Sequence, residues 1–240
     1  MRTRLRSFVF LLVAVCAFSI AAMPAVAQIG KSVPVPAGSD ADHALTEINA
    51  ATDPTQKLAL IDKFAASAQG DMAIVVDDTY VNYYLTAKNY DKAFEYGEKL
   101  FALDPDNFAN AVNMVRAAQE KGDTDKLFSY GAKAADILKR YKAAPAPEGK
   151  SSADWEQEKA RNLENAHDNT IYVQQLIFNG AYQTQDPTKR ATLLVQFAQM
   201  FPDSPYADQA MGVAAASYRQ TQNTAKMVEV ANGLDRRAHV

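Results

Sequence analysis

The sequence predicts an all-α solenoid of about five helix-turn-helix pairs. After residue 40 the chain is rich in Ala, Leu, Gln, Lys and Glu and poor in Gly, a composition that favours helices. Similar short sequence motifs also recur along the chain. Asp53-Pro54-Thr55 and Asp186-Pro187-Thr188 each place an Asp N-cap before a proline at the first helical position.

The openings of the second helices define the repeat. They fall at Thr55, Tyr90, Thr124, Thr188 and about Gln222, in steps of 35, 34, 64 and 34 residues. The long step is one period plus about thirty residues, which predicts an insertion between the third and fourth pairs. The predicted pairs span 39–73, 74–107, 108–141, 172–205 and 206–240, with the insertion at 142–171.

The clearest unit is Ile74–Asn107. Tyr90 opens its second helix, the small residue Ala93 follows three positions later, and Pro105 closes the helix. This pattern resembles the tetratricopeptide repeat (TPR) family, in which small residues allow two helices to pack closely. The resemblance implies a right-handed solenoid whose first helices line a concave groove. Gly97 and Gly131 occupy further small positions in successive units.

The insertion contains a loop and a helix. Residues 143–152 are rich in Pro, Gly and Ser, which predicts a loop. Residues 153–167 read as a helix, which either runs into the first helix of the fourth pair or breaks near 165–169 before it. Trp155 lies on this helix. It either docks on the neighbouring helices or stays exposed as an anchor for a partner.

The N-terminal residues 1–27 resemble a signal peptide. Three arginines precede an apolar run over residues 8–22, and Ala25-Val26-Ala27 has the small-x-small pattern of a cleavage site. We therefore expect an exported protein, periplasmic or secreted and cleaved after Ala27, with an uncleaved anchor as the alternative. Residues 28–38 are expected to form a flexible linker. No second apolar stretch of that length occurs, so no integral membrane span is expected in the mature chain.

Charge and cysteine content exclude several functions. Residues 1–27 carry three basic and no acidic residues, so the net charge changes from −3 to −6 without them, which argues against a nucleic-acid partner. Cys16 is the only cysteine, and it lies inside the signal. Because Val15 precedes it, lipidation is not expected. The mature chain then has no disulfide and no thiolate metal site.

No pattern of catalytic residues is present in the sequence. His43, His167 and His239 are scattered, and no metal, nucleophile or phosphate motif is found. We therefore expect no enzyme activity, no cofactor and no metal. An enzyme whose pocket is built from the proline-rich loop and Trp155 is the weaker alternative.

Binding is the function that the TPR resemblance implies. Its groove would hold a peptide or a partner protein, contacted by exposed positions of the first helices. These positions are Asp78, Asn82, Leu85, Thr86, Asn113, Arg116, Gln119, Glu120, Gln175, Asn179 and Gln183.

One TPR subfamily grips a peptide C-terminus with two asparagines and three basic residues. Asn82 and Asn113 match the asparagines. The three positions at which this subfamily has basic residues are occupied here by Asp78, Val173 and Ile177. A carboxylate clamp is therefore not expected.

A second resemblance lies at the junction over residues 201–210. Its sequence, Phe-Pro-Asp-Ser-Pro-Tyr-Ala-Asp-Gln-Ala, is similar to repeat junctions of bacterial envelope TPR proteins, including the outer-membrane-assembly lipoproteins. Here Ser204 is expected to cap the next helix and Pro205 to begin it. The alternative function is an accessory factor of outer-membrane or cell-wall assembly.

Overall fold

The computed structural model describes residues 29–238, with side chains through Leu234. This range contains eleven α-helices and no strand, which confirms the all-α prediction. The helices are α1 (Asp40–Ala50), α2 (Pro54–Ser67), α3 (Met72–Thr86), α4 (Tyr90–Leu103), α5 (Phe108–Lys121), α6 (Thr124–Ala143), α7 (Ser152–Asn165), α8 (His167–Tyr182), α9 (Pro187–Met200), α10 (Ala207–Gln220) and α11 (Thr224–Ala238).

The second helices begin within two residues of the predicted positions. Asp53, Asn89, Asp123 and Asp186 are their N-caps, and each side chain accepts a hydrogen bond from the backbone N–H three residues later. Such caps satisfy N–H groups that have no partner within the helix. The local sequence thus determines where these helices start.

Neighbouring helices pack in chain order. α3 packs on α4, α5 on α6, and α10 on both α9 and α11. α5 also contacts α3 and α8, so three of the predicted first helices adjoin one another. One hydrophobic core extends from α3 to α11, and a smaller one joins α1, α2 and α3.

Two glycines permit close packing between successive pairs. A Cβ atom at Gly97 of α4 would overlap the Sδ atom of Met114 on α5. Gly131 of α6 follows 34 positions later, and a Cβ there would overlap Cδ1 of Ile177 on α8. Two glycines 34 positions apart therefore each lie against a side chain of a later helix.

The insertion helix docks through Trp155. This side chain is 7% exposed, its Nε1–H donates to the carbonyl oxygen of Ala144 at 2.9 Å, and its ring packs edge-on against Tyr141. Docking, the first of the two alternatives for Trp155, is confirmed. Lys159 Nζ donates to the carbonyl oxygens of Lys142 and Ala144, both at 3.1 Å, and so satisfies acceptors at the end of α6.

The fourth pair begins earlier than expected. α8 starts at His167, five residues before Tyr172, because the break in the helical segment is confined to Ala166. The expectation for Ser204 and Pro205 is wrong. α10 begins at Ala207, and Ser204 Oγ accepts from the N–H of Tyr206 in the preceding turn.

The start of the expected flexible linker is fixed to the helical body. Ile29 is 4% exposed within the main core, and its carbonyl oxygen accepts from the N–H of Phe108 at 3.2 Å. The N–H of Lys31 donates to Asp104 Oδ2 at 2.8 Å. Gly30 has φ +118°, and a Cβ there would lie 2.7 Å from the same Oδ2 atom. Residues 29–31 form what we call the docked segment.

Several expectations concern residues outside the range 29–238. The signal peptide over 1–27, its cleavage after Ala27, Cys16 and His239 all lie outside the described residues. Within the described part, no helix has the length and apolarity needed to cross a membrane.

Candidate binding groove

A groove lies between α1 and α3, and the first half of α2 contributes to its lining. Its volume is about 540 Å³. We call it the α1–α3 groove. Its lining residues are Leu45, Ile48, Asn49, Thr52, Pro54, Lys57, Ile61, Val75, Asp78, Thr79, Asn82, Tyr83, Thr86 and Ala87.

The floor of the groove is apolar. Ile48 and Ile61 are buried in the smaller core, and Leu45 and Val75 pack against that core. The polar side chains come from all three helices, with Asn49 on α1, Lys57 on α2 and Asn82 on α3. A concave apolar surface with a few polar groups is typical of ligand and peptide sites.

Asp78 and Asn82 form a polar pair on α3. Asn82 Nδ2 donates to the backbone oxygen of Asp78 at 2.9 Å and to its Oδ2 at 3.0 Å. Burial raises the pKa of the Asp78 carboxyl above its usual value, and the Asn82 hydrogen bond partly opposes this shift. The groove thus contains a carboxylate whose charged form is poorly solvated.

Changing Asp78→Asn should raise the melting temperature at pH 7. Because the folded-state pKa of Asp78 is raised, its ionised form opposes folding above that pKa, and this effect fades as the pH falls through it. The asparagine keeps the shape and can still accept from Asn82. Melting temperatures of both proteins at pH 7 and pH 4 test this. If the melting temperature of the variant exceeds that of the parent protein by as much or more at pH 4 than at pH 7, the prediction is contradicted.

Hydrogen bonds hold the α3 side of the groove in place. Tyr83 Oη donates to the carbonyl oxygen of Pro54 at 3.0 Å and ties α3 to the start of α2. Thr79 and Thr86 donate their hydroxyls to carbonyl oxygens one turn earlier. Behind the groove, Tyr80 donates to Asp62 Oδ1 at 2.6 Å. The groove is therefore preformed.

Three of the predicted binding residues line this groove: Asp78, Asn82 and Thr86. The prediction that Leu85 is an exposed groove residue is wrong. It is 5% exposed and belongs to the main core, because the face of α3 that carries it packs inward. Its side chain therefore has no surface for a partner to contact.

The predicted residues on α5 and α8 lie elsewhere. Arg116 pairs with Glu120 at 3.9 Å, and Glu120 also accepts from Tyr90 Oη at 2.8 Å. Gln119 and Gln183 line a separate hollow of about 220 Å³ where α5 meets α8. Neither the α1–α3 groove nor this hollow is lined by Asn113 on α5 or by Gln175 and Asn179 on α8. The structure does not gather all the predicted residues into one site.

The α1 side of the groove is absent from the sequence-based expectation. Leu45, Ile48 and Asn49 fall on one face of α1, since residues three and four apart are neighbours on a helix. The same rule that selected positions on the later first helices could have selected these residues. They were missed because the first pair, like the last, is among the weakest matches to the repeat.

Among the side chains described, those of residues 29–234, no cluster of three or more His, Cys, Asp or Glu is arranged to hold a metal ion. Comparison with known proteins gave no match: no family model, no curated protein and no solved structure is significantly similar to the chain.

Proposed function

We propose that this protein is an exported, non-catalytic scaffold that binds a segment of a partner protein in the α1–α3 groove. The observation that carries the proposal is the preformed apolar floor with amide, hydroxyl and charged groups above it. Shape and polarity of this kind suit a peptide, whose side chains fill the floor and whose backbone bonds to the polar groups.

The amides in the groove favour peptide binding in particular. Asn49 and Asn82 each present a donor and an acceptor, which match the two polar groups of a peptide unit. Lys57 and Asp78 add one charge of each sign, which favours one direction of the bound chain. The remaining titratable lining residue is Tyr83, whose hydroxyl already donates to a carbonyl. This set of groups supports recognition better than catalysis.

In this proposal the helix pairs form a TPR-like right-handed solenoid. Two observations support that arrangement: α5 contacts both α3 and α8, and Gly97 and Gly131 receive side chains at equivalent positions of the repeat. The groove would lie at the N-terminal end of the concave side. Export after cleavage at Ala27 belongs to the same proposal, and N-terminal sequencing of the mature protein, starting at Gln28, tests it.

Site-specific photocrosslinking tests the groove. A benzophenone amino acid at Thr86, inside the groove, should crosslink a partner protein in cells that produce this chain. The same group at Gln196, exposed on α9, is the control and should not. Mass spectrometry of the adducts then identifies both the partner and its bound segment.

A pair of arginine substitutions separates the groove from the neighbouring surface. Asn82→Arg places bulk and charge in the groove, so the partner segment can no longer enter it. Crosslinking from Thr86 should fall about tenfold or more. Asn113→Arg, on α5 outside the groove, should leave it unchanged. Equal crosslinking by both variants and the parent protein would reject the proposal.

A further inference from the structure

The α1–α3 groove occupies a place where two helices would otherwise pack. α3 contacts α5, and α5 contacts α8, so these predicted first helices adjoin one another. α1 packs on α2, whereas any contact that it makes with α3 is marginal. The groove of about 540 Å³ lies in the space between them. Its opening therefore depends on where α1 is held.

Packing alone holds α1 weakly. Ile48 is its one buried side chain, and Ala41, Ala44 and Leu45 are only partly buried against the smaller core. By comparison, α5 buries seven of its residues. Because burial of an apolar face is what fixes a helix in a folded protein, α1 needs a further connection to stay in one position.

A chain segment supplies this connection at the start of α1. Residues 29–39, which we call the strap, run from the docked segment to the N-cap of α1. Ile29 lies in the main core, and the N–H of Lys31 donates to Asp104 at 2.8 Å. The strap therefore begins on the body formed by the main core, at the α4–α5 turn, and not on the first helix pair.

Hydrogen bonds fix the other end of the strap to α1. The N–H of Ser39 donates to the carbonyl oxygen of Pro36 at 3.1 Å and closes a turn in which Gly38 has φ +76°. The N–H of Gly38 donates to Asp42 Oδ2 at 2.9 Å, and Ser39 Oγ accepts from the N–H of Asp42 at 3.2 Å. This end of the strap therefore cannot turn freely relative to α1.

The middle of the strap is stiff. Residues 33–36 read Val-Pro-Val-Pro, so each proline fixes its own φ and restricts the valine before it to extended conformations. Both valines are half-buried and both prolines are exposed, so one side of the stretch lies against the protein. A proline-rich chain of this kind is a semi-rigid spacer, which holds α1 at a set distance from the α4–α5 turn.

We propose that the strap fixes the opening of the α1–α3 groove. While residues 29–31 are docked, α1 is held at one end by the turn to α2 and at the other by the strap, and the groove has one width. When these residues leave the α4–α5 turn, α1 is held by α2 alone, and the groove takes a range of widths.

The strap thereby couples two separate places on the molecule. The α4–α5 turn contributes no residue to the lining of the groove, yet docking at the turn sets the width of the groove. A groove of fixed width binds a segment without the free-energy cost of ordering α1, so undocking is the event that weakens binding there.

Distances between spin labels test this coupling. The labels are placed at Thr46→Cys on α1 and Ala109→Cys on α5, two exposed positions, and Cys16→Ser leaves no other cysteine in the chain. Double electron–electron resonance should give one narrow α1–α5 distance distribution in the parent protein. Ile29→Asp, which undocks the segment, should broaden it about twofold or more. Because the groove is measured empty, the outcome does not depend on any partner.

Proline substitutions test the stiffness of the strap. Pro34→Gly combined with Pro36→Gly loosens the strap without removing Ile29 from the core, and should also broaden the α1–α5 distribution. Pro145→Gly combined with Pro147→Gly is the matched control, because these exposed prolines have the same spacing in the loop before α7. This control should leave the distribution unchanged.

A label pair inside the main body reports that each variant is folded. The pair at Ala109→Cys and Gln196→Cys, on α5 and α9, should give the same distribution in every variant. An α1–α5 distribution that stays narrow in Ile29→Asp, although trypsin cleaves rapidly after Lys31, would overturn the proposal. A distribution that is already broad in the parent protein, or equal broadening by the two proline pairs, would overturn it as well.

Discussion

Replacing Gly97 by valine is expected to lower the free energy of unfolding by about 2–3 kcal/mol, through overpacking of a filled core. A Cβ atom at this position would overlap Sδ of Met114 and lie 2.8 Å from its Cε and 3.1 Å from its Cγ. Met114 is fully buried among core side chains, so its flexible end can move only by displacing its neighbours. The core between α4 and α5 must therefore repack.

Gly212→Val is the matched control. Gly212 is an exposed glycine inside α10, and beyond the adjoining backbone of that helix no atom lies within 4 Å of a Cβ built there. Urea denaturation should place this control within about 0.5 kcal/mol of the parent protein, as is usual for surface substitutions. Combining Gly97→Val with Met114→Ala should recover part of the loss, because the two side chains compete for one space. If the two glycine variants unfold at the same urea concentration, the close approach at Gly97 is wrong.

The second large effect is expected at the docked segment. Changing Ile29→Asp should lower the free energy of unfolding by about 1.5–3 kcal/mol, the range for exposing one buried aliphatic side chain. A carboxylate cannot occupy the core position without a partner, so residues 29–31 should leave the α4–α5 turn. The N–H of Lys31 then no longer donates to Asp104.

Limited proteolysis measures this undocking directly. Trypsin cleavage after Lys31 should be slow in the parent protein and much faster in Ile29→Asp, since a protease needs a free extended chain. Ala37→Asp adds the same charge at an exposed position of the same stretch, six residues from the scissile bond, and should change neither rate nor stability. Gly30→Ala should mimic Ile29→Asp without any change of charge, because its φ is positive and its Cβ meets Asp104. Equal cleavage rates in all four proteins contradict docking.

The sequence predicted the features that are determined locally. Asp123 and Asp186 cap helices because their side chains bond to N–H groups three residues away, and short turns follow from that chemistry. Docking was one of the two alternatives for Trp155, and it rested on the rule that a large aromatic side chain is seldom left in water. Such inferences need only a short stretch of sequence.

The features that were missed depend on distant residues. The docked segment was expected to be flexible because nothing near Lys31 in the sequence indicates Asp104, which lies 73 residues away. Leu85 was placed in the groove by its position in the repeat, whereas its burial depends on how α3 packs against its neighbours. A hollow of about 880 Å³ lined by α6, α8 and the junction between α9 and α10 likewise combines residues that are far apart in the chain.

Docking of Ile29 also determines the path of mechanical load. Since the carbonyl of Ile29 bonds to the N–H of Phe108, the chain from 29 to 108 forms a closed loop that contains α1 to α4. Tension on the chain before Ile29 passes straight into the α4–α5 turn and bypasses the first two helix pairs. The α1–α3 groove, which lies within this loop, is therefore shielded from pulling at the N-terminal end until the docked segment detaches.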